Sequence, residues 1–454
     1  MYKKLTKQKS LPLGTLLFFV IIVCISCGSE SPSNNVARVQ LLEDYSYPTS
    51  IAASSNGDKL FVVNNVRNTV SIVDPVSLNP VADITVGCDP RTVIVSEDDS
   101  MLVVGHDNNS TCKLSPFYTG EGDGYSYSYL SIIDLTTNTL TKEVVLNQME
   151  TSNFTAGQAL QSVRDMMWDT SVDPERIYIT GIDKSDLAIL DMDAIQNAAT
   201  TQVTFTEETN GEIIGYYKDP GGESFKKPID LALTSDRKTA FMPQSEAGAS
   251  GLNVFNLDTE SHYASSPWSL GFTYSVESSG SISERPGTCF RPSYIELMSG
   301  DQAAVIACTD NDNSFVLGEG DADGDVIIVV DVSDPDVAPA ENLTIGYIKA
   351  CLNPVQFKLT SDEKYLLALC QGSDELITIP WGQFRSTTAN AVGTVNIYGL
   401  SFKVGDKPSD MVIVGDTVYV TDLVDNRIYK FNYKDETQAQ SVRKYAIDPA
   451  NGTF

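Results

Sequence analysis

The chain has 454 residues, 60 acidic against 31 basic for a net charge of −29, and it is rich in Tyr (20), Phe (17), Gly (31) and Pro (20). That length exceeds one ordinary core, so it needs two or three domains or a single large closed architecture. The charge disfavours nucleic acid and bare anionic membrane as partners and leaves cations, basic proteins and neutral glycans open.

Residues 1–26 read as a targeting segment: Lys3, Lys4, Lys7 and Lys9 precede the apolar run LPLGTLLFFVIIVCIS, which is short for a membrane-spanning helix. Ile25-Ser26-Cys27-Gly28 resembles a bacterial lipobox, with Cys24 where leucine is common. The resemblance implies cleavage before Cys27 and a diacylglycerol on its thiol. An uncleaved anchor is the alternative, and either places the body outside the cytoplasm, with the outer membrane of a bacterial envelope as the expected location and the lipid as the sole membrane contact. Residues 27–35 have the composition of a flexible tether. Without the leader's four lysines, 27 basic residues face 60 acidic ones, a charge of −33.

From residue 36 to 454 one unit recurs: a proline or its equivalent, an apolar strand, a tight polar turn, a second apolar strand, a loop, and a third strand closing on Asp or Asn. Seven copies start near Pro48, Pro90, Val163, Pro228, Pro292, Pro354 and Pro408. The third strands read VSIVD, LSIIDL, LAILDM, LNVFNL, VIIVVDV, LITIPW and IYKFNY, and the sixth alone lacks the closing Asp or Asn. Fourth strands are expected at PVADITVG, TKEVVL, TQVTFT and ENLTIGYI. Runs such as LFVVNN and YLLALC are apolar throughout rather than alternating, so both faces of each small sheet must be covered. Radial stacking does this, and the chain is expected to be all-β, a single seven-bladed β-propeller of four-stranded antiparallel blades.

The repeats resemble the YVTN-type seven-bladed propellers of bacterial and archaeal surface proteins: LFVVNN (60–65), YITG (178–181) and YVTD (419–422) stand where that family has its YVTN. The resemblance covers residues 38 to 447 and implies a fold more than a function, since such repeats serve binding, structural and enzymatic proteins alike. VARVQLL (36–42) is expected to complete the last blade, with SVRKYAI (441–447) competing for the same place.

Cys351 and Cys370, like Cys289 and Cys308, stand nineteen positions apart. In a blade the first strand starts, and the second ends, on one face of the disc, so each pair sits across a hairpin and a disulfide is expected. Cys88–Cys112 is the third expected pair, although His106 takes the position matching Cys370. Free thiols or zinc are the alternatives; the chain has no CxxC and two histidines, and neither His106 nor His262 has a companion within motif distance.

The longest loops, 106–130, 206–228, 273–292 and 309–326, fall on the cysteine-bearing face, which makes that face the candidate binding surface. Phe117, Tyr118, Glu121, Asp123, Tyr125, Tyr127, Tyr216 and Tyr217 are its candidate contacts, a mix of rings and carboxylates suited to a protein, peptide or glycan. Within GEGDADGD, Glu319, Asp321, Asp323 and Asp325 supply alternating oxygens for a hard cation, and calcium is the one cofactor considered. Val330 stands at the twelfth position, where an acid belongs, and a solvated acidic loop is the alternative. Asp165, Asp230 and Asp410 all fall two residues after the proline position, at the expected channel mouth. They either cap backbone amides between blades or, as in propeller lactonases, hold a metal. No other catalytic signature is present, so the expected function is non-catalytic binding or scaffolding, with a lactonase-like hydrolase as the alternative.

Overall fold

The computed structural model describes residues 46–107, 128–146, 162–181, 187–199, 201–204, 213–217, 228–244, 251–259, 261–263, 266–278, 281–289, 291–298, 300–309, 325–336, 344–348, 351–382 and 395–448. All lie in the compact unit Asn35–Phe454. Blade 1 comprises β1 (Pro48–Ala53), β2 (Leu60–Asn64), β3 (Thr69–Val73) and β4 (Pro80–Thr85). Blade 2 follows with β5 (Pro90–Val95), β6 (Met101–His106), β7 (Tyr129–Asp134) and β8 (Thr139–Val145). In blade 3, β9 (Val163–Asp169), β10 (Arg176–Gly181) and β11 (Leu187–Asp191) lead to helix α1 (Met192–Asn197), β12 (Gln202–Thr204) and β13 (Ile213–Tyr217). Blade 4 has β14 (Ala232–Leu233), β15 (Thr239–Gln244), β16 (Gly251–Asn256) and β17 (Ser261–His262), and a hairpin of β18 (Gly271–Ser278) and β19 (Ser281–Thr288) precedes the next blade.

Blade 5 is β20 (Pro292–Leu297), β21 (Ala303–Cys308), β22 (Val326–Asp331) and β23 (Thr344–Ile348), and blade 6 is β24 (Pro354–Leu359), β25 (Tyr365–Cys370), β26 (Glu375–Pro380) and β27 (Val395–Lys403). Blade 7 contributes β28 (Pro408–Val414), β29 (Thr417–Asp422) and β30 (Arg427–Asn432), and the chain continues into β31 (Ser441–Asp448). The architecture is a seven-bladed β-propeller, nearly all β, with each blade antiparallel from its inner strand outward.

The outer edge of blade 3 differs from the sequence expectation, and the competing candidate for the last blade goes elsewhere. TQVTFT does not finish blade 3; its Gln202–Thr204 adds in parallel to β8 of blade 2, and β13 takes the outer place beside β11. Five residues of the expected loop 206–228, Ile213–Tyr217, are therefore sheet, and 273–292 is largely the β18–β19 hairpin. SVRKYAI does not close blade 7 either. β31 pairs antiparallel with β27 and β23, which joins blades 5 and 6 into one nine-stranded sheet. Residues 36–42 lie outside the described residues.

Seven apolar clusters of buried side chains occupy the seven seams between blades. Alternation along the strands explains this: in β2, Phe61 and Val63 pack toward blade 2 while Leu60 and Val62 pack toward blade 7, so all are buried. The ring closes where Tyr419 and Ile428 of blade 7 meet Ile51 and Leu60 of blade 1. Tyr419 donates its hydroxyl, and Lys430 its ammonium, to the Pro75 carbonyl at 3.0 and 2.8 Å.

Local polar chemistry explains the repeat's punctuation. The Asp or Asn that ends a third strand folds its side chain back on the next backbone amides: Asp74 accepts from Val76 and Ser77, Asp134 from Thr136 and Thr137, and Asn256 from Asp258 and Thr259. Asp191 does the same as the N-cap of α1. In the turns after the inner strands, Asp99 and Asp301 adopt positive φ and reach across a seam to the backbone and hydroxyl of Ser55 and Ser235.

Cys289–Cys308 and Cys351–Cys370 are disulfides, with Cα atoms 5.1 and 5.9 Å apart. Cys88 is also disulfide-bonded, and Cys112 lies outside the described residues. His106 is fully buried, stacks on Tyr129 at 4.1 Å, donates from Nδ1 to the Cys88 carbonyl and accepts the Ser131 hydroxyl at Nε2. Burial pulls its pKa down to about 3, so it is neutral and structural at physiological pH.

Candidate functional site

The inner strands surround an axial cavity of about 1320 Å³. It runs from Arg91 and Arg164, near the strand starts, to Glu97 and Glu363 on the turns that follow. The second residue after each proline position points at the axis: Ser50, Thr92, Asp165, Asp230, Tyr294, Gln356 and Asp410.

Most of these side chains fasten one blade to the next. Asp410 accepts the Ile51 N–H at 2.9 Å and the Ser50 hydroxyl at 2.7 Å, across the seam between blades 7 and 1. Asp165 accepts from Leu231 N at 3.1 Å, Asp230 from Ile295 N at 2.6 Å, and Gln356 from Met411 N at 2.6 Å. Where Tyr294 interrupts the series, Glu296 two residues on accepts from Leu359 N at 3.3 Å. A buried N–H left without an acceptor is costly, so in five of the seven seams an inner strand supplies one to its neighbour. Gln356 and Glu296 were not expected from the sequence, though Gln356 shares the register of the three acids.

The acids also form an electrostatic cluster. All three are half-buried and line the cavity. Burial raises the pKa of Asp165 to about 6 and that of Asp230 well above the ordinary carboxylate value, and the Asp165 charge raises Asp230 further across the blade 3–4 seam. Asp410 is raised by the same cause. The Glu296 carboxylate, 3.9 Å from Lys358 Nζ, raises the lysine, and Asp230, Asp165 and Asp410 add to this. Among the described residues no group of three or more His, Cys, Asp or Glu converges as a metal site.

A pH test follows. Both carboxyls bind protons more tightly folded than unfolded, so their contribution is most favourable at low pH and is lost as pH rises, for Asp165 from about 4 through about 6. Asp230→Asn keeps an acceptor for Ile295 N and gives Asp165 a neutral donor. It is expected to match the wild type near pH 4 and to be more stable by about 1–2 kcal/mol at pH 7, discounted for channel water. Urea unfolding across that range reads the difference, and a pH-independent offset would contradict the shared-proton account.

The remaining sequence candidates fall elsewhere. Asp325 is buried with its carboxylate on the Asn353 N–H, which places it in the blade 5–6 seam rather than in an open loop. Glu319, Asp321, Asp323, Phe117, Tyr118, Glu121, Asp123, Tyr125, Tyr127 and Cys27 lie outside the described residues. Tyr216 and Tyr217 belong to strand β13, not to a loop.

No family model matches the chain, and no curated protein matches it. Solved structures share its fold. Hydrazine synthase of Kuenenia stuttgartiensis superposes with a TM-score of 0.55 at 13% identity, over 88% of this chain and 99% of that one. The β-propeller domain of Myceliophteria thermophila Cps50 (Swd1) gives 0.51 at 10% identity, over 85% and 97%. At such identities the likeness defines the protein as a β-propeller and carries no activity with it.

Proposed function

We propose that the protein is a lipid-anchored, extracytoplasmic propeller of the YVTN-repeat kind, held at a bacterial outer membrane through Cys27. In this reading its cysteine-bearing face binds a protein, peptide or glycan without catalysing a reaction. The observation behind it is the use of the channel acids: Asp165, Asp230 and Asp410 each spend an oxygen on the next blade's backbone. Two disulfides support an oxidising compartment. The long connections after β6 and β21 leave from the face that Cys308 and Cys370 mark, which supports that rim as the contact surface.

Removing residues 113–127 tests this. The trimmed chain is expected to keep the wild-type melting temperature and to lose at least about tenfold in affinity for the partner that copurifies with the intact protein from its native envelope. Unchanged copurification would count against the rim. The paired carboxyls Asp165 and Asp230 favour the alternative, a lactonase-like hydrolase. Lactone turnover that Asp165→Asn abolishes without lowering the melting temperature would establish that reading instead.

A further inference from the structure

β31 does not join the blade it follows. It leaves blade 7 after β30 and pairs, among the described residues, with β27 of blade 6 and β23 of blade 5.

The path of β27 makes this possible. Ser401, Phe402 and Lys403 pair with β26, but from Leu400 back to Val395 the ladder partner among the described residues is β31 alone. The Leu400 N–H marks the parting, since it donates to the Thr378 hydroxyl at 2.8 Å rather than to a β26 carbonyl. β27 and β31 thus form a two-stranded ribbon that departs from blade 6. Its far end, Ile447 and Asp448, reaches Ile348 and Tyr347 of β23.

The ribbon is thinly buried near the point of departure. Leu400 packs into the blade 6–7 cluster, while Tyr398 and Val442 are each more than half exposed and Ser441 is exposed. The hold on β31 is therefore polar. Arg443 forms an ion pair with Glu375 at the start of β26, and that buried carboxylate also accepts the Ser401 hydroxyl. Just ahead of the strand, Gln440 N–H donates to the Ser401 carbonyl at 2.7 Å. Hydrogen bonds and a half-exposed ion pair are replaced by water at small net cost, which puts such a segment at the low end of local stability. The blades beneath it are reinforced. Blades 5 and 6 carry disulfides across their first hairpins, Cys289–Cys308 and Cys351–Cys370, so their inner strands stay fixed when an outer edge is released.

We propose that β31 is a detachable strap, which opens as a unit from β27 and β23 while the propeller stays closed and which, when seated, keeps two strand edges shut. Arg443 is the catch, because its partner Glu375 lies on β26 rather than on the ribbon itself. Release leaves unpaired backbone groups along β27 and the end of β23, a template for strand addition.

Amide exchange of the full chain tests the strap. Amides of 395–400 and of Ser441–Asp448 are expected to exchange together, roughly hundredfold faster than those of β25. Arg443→Gln and Glu375→Gln are each expected to speed that opening roughly tenfold while β24 and β25 keep their wild-type rates. A chain ending at Gln440 is expected to melt within about 5 °C of the full chain and to lose protection at 395–400, and a peptide of residues 441–448 is expected to restore it. Exchange of Ser441–Asp448 only at the rate of β25 would overturn the proposal, since the strand would then open only with the whole propeller. Unfolding of the shortened chain would do the same by making β31 part of the core. A folded shortened chain whose 395–400 amides ignore the peptide would show that the edges do not take a strand back.

Discussion

Replacing Cys289, Cys308, Cys351 and Cys370 by alanine is expected to lower the unfolding free energy by about 6 kcal/mol, about 3 for each disulfide. Each bridge spans 19 positions and closes a loop within a single hairpin. The native hairpins do not need the bridges to find their register, since Pro292 already opposes Cys308 and Pro354 opposes Cys370 in the ladders. The loss therefore comes mainly from the unfolded chain, which regains freedom once the loops are open. Circular dichroism of the folded variant should match the wild type, and its melting temperature should fall on the order of 5–10 °C.

The two bridges sit in different seams, Cys289 and Cys308 between blades 4 and 5 and Cys351 and Cys370 between blades 5 and 6. Their effects should be nearly additive. Reductant provides the internal control, because it should destabilise the wild type and leave the four-alanine variant almost unmoved apart from the bond at Cys88. A wild type whose melting temperature ignores reductant under unfolding conditions would remove these bridges from the stability account.

What the sequence revealed and what it hid have separate physical causes. Proline at the start of the inner strand, Asp or Asn at the end of the third, and cysteines nineteen apart each report a local event: a strand that gives up one donor, a side chain folding onto the next amides, a hairpin of fixed length. Such events are written in neighbouring residues, and all seven copies were legible. The outer strands were legible in blades 1, 2 and 5, where PVADITVG, TKEVVL and ENLTIGYI hold β4, β8 and β23, but not in blade 3. TQVTFT and the IIGYY segment have similar β-propensity, and which one pairs with β11 depends on what lies beside it in space. The destination of SVRKYAI was hidden for the same reason, because β27 and β23 offer it two open edges at once.

The site was legible in part. The register that singled out Asp165, Asp230 and Asp410 is the seam-fastening position, and the same register contains Gln356. Searching for acids alone passed over it, because the physical requirement is an acceptor, which an amide meets as well as a carboxylate. The Glu296–Lys358 pair is hidden in the sequence, since the two become neighbours only where the inner strands of blades 5 and 6 pack side by side.

Asp410→Ala is expected to cost about 3 kcal/mol, more than the corresponding change at any other seam. Every other pair of adjacent blades is joined by a continuous crossover, whereas blades 7 and 1 meet through residues about 360 positions apart. Their shared cluster is also small, centred on Ile51, Leu60, Val62, Tyr419 and Ile428. Alanine leaves the buried Ile51 N–H without its acceptor and the Ser50 hydroxyl without its partner. Asp410→Asn keeps an oxygen for Ile51 while removing a charge that burial already disfavours, so it should lie within about 1 kcal/mol of the wild type. Asp165→Ala, at a seam with a covalent crossover, should fall between the two. Urea unfolding ranks the three variants, and amide exchange at Pro48–Ala53 locates the loss. If alanine and asparagine at 410 prove equally harmful, charge rather than hydrogen bonding closes this seam. If neither matters, the packing of Tyr419 and Ile428 against blade 1 closes it unaided.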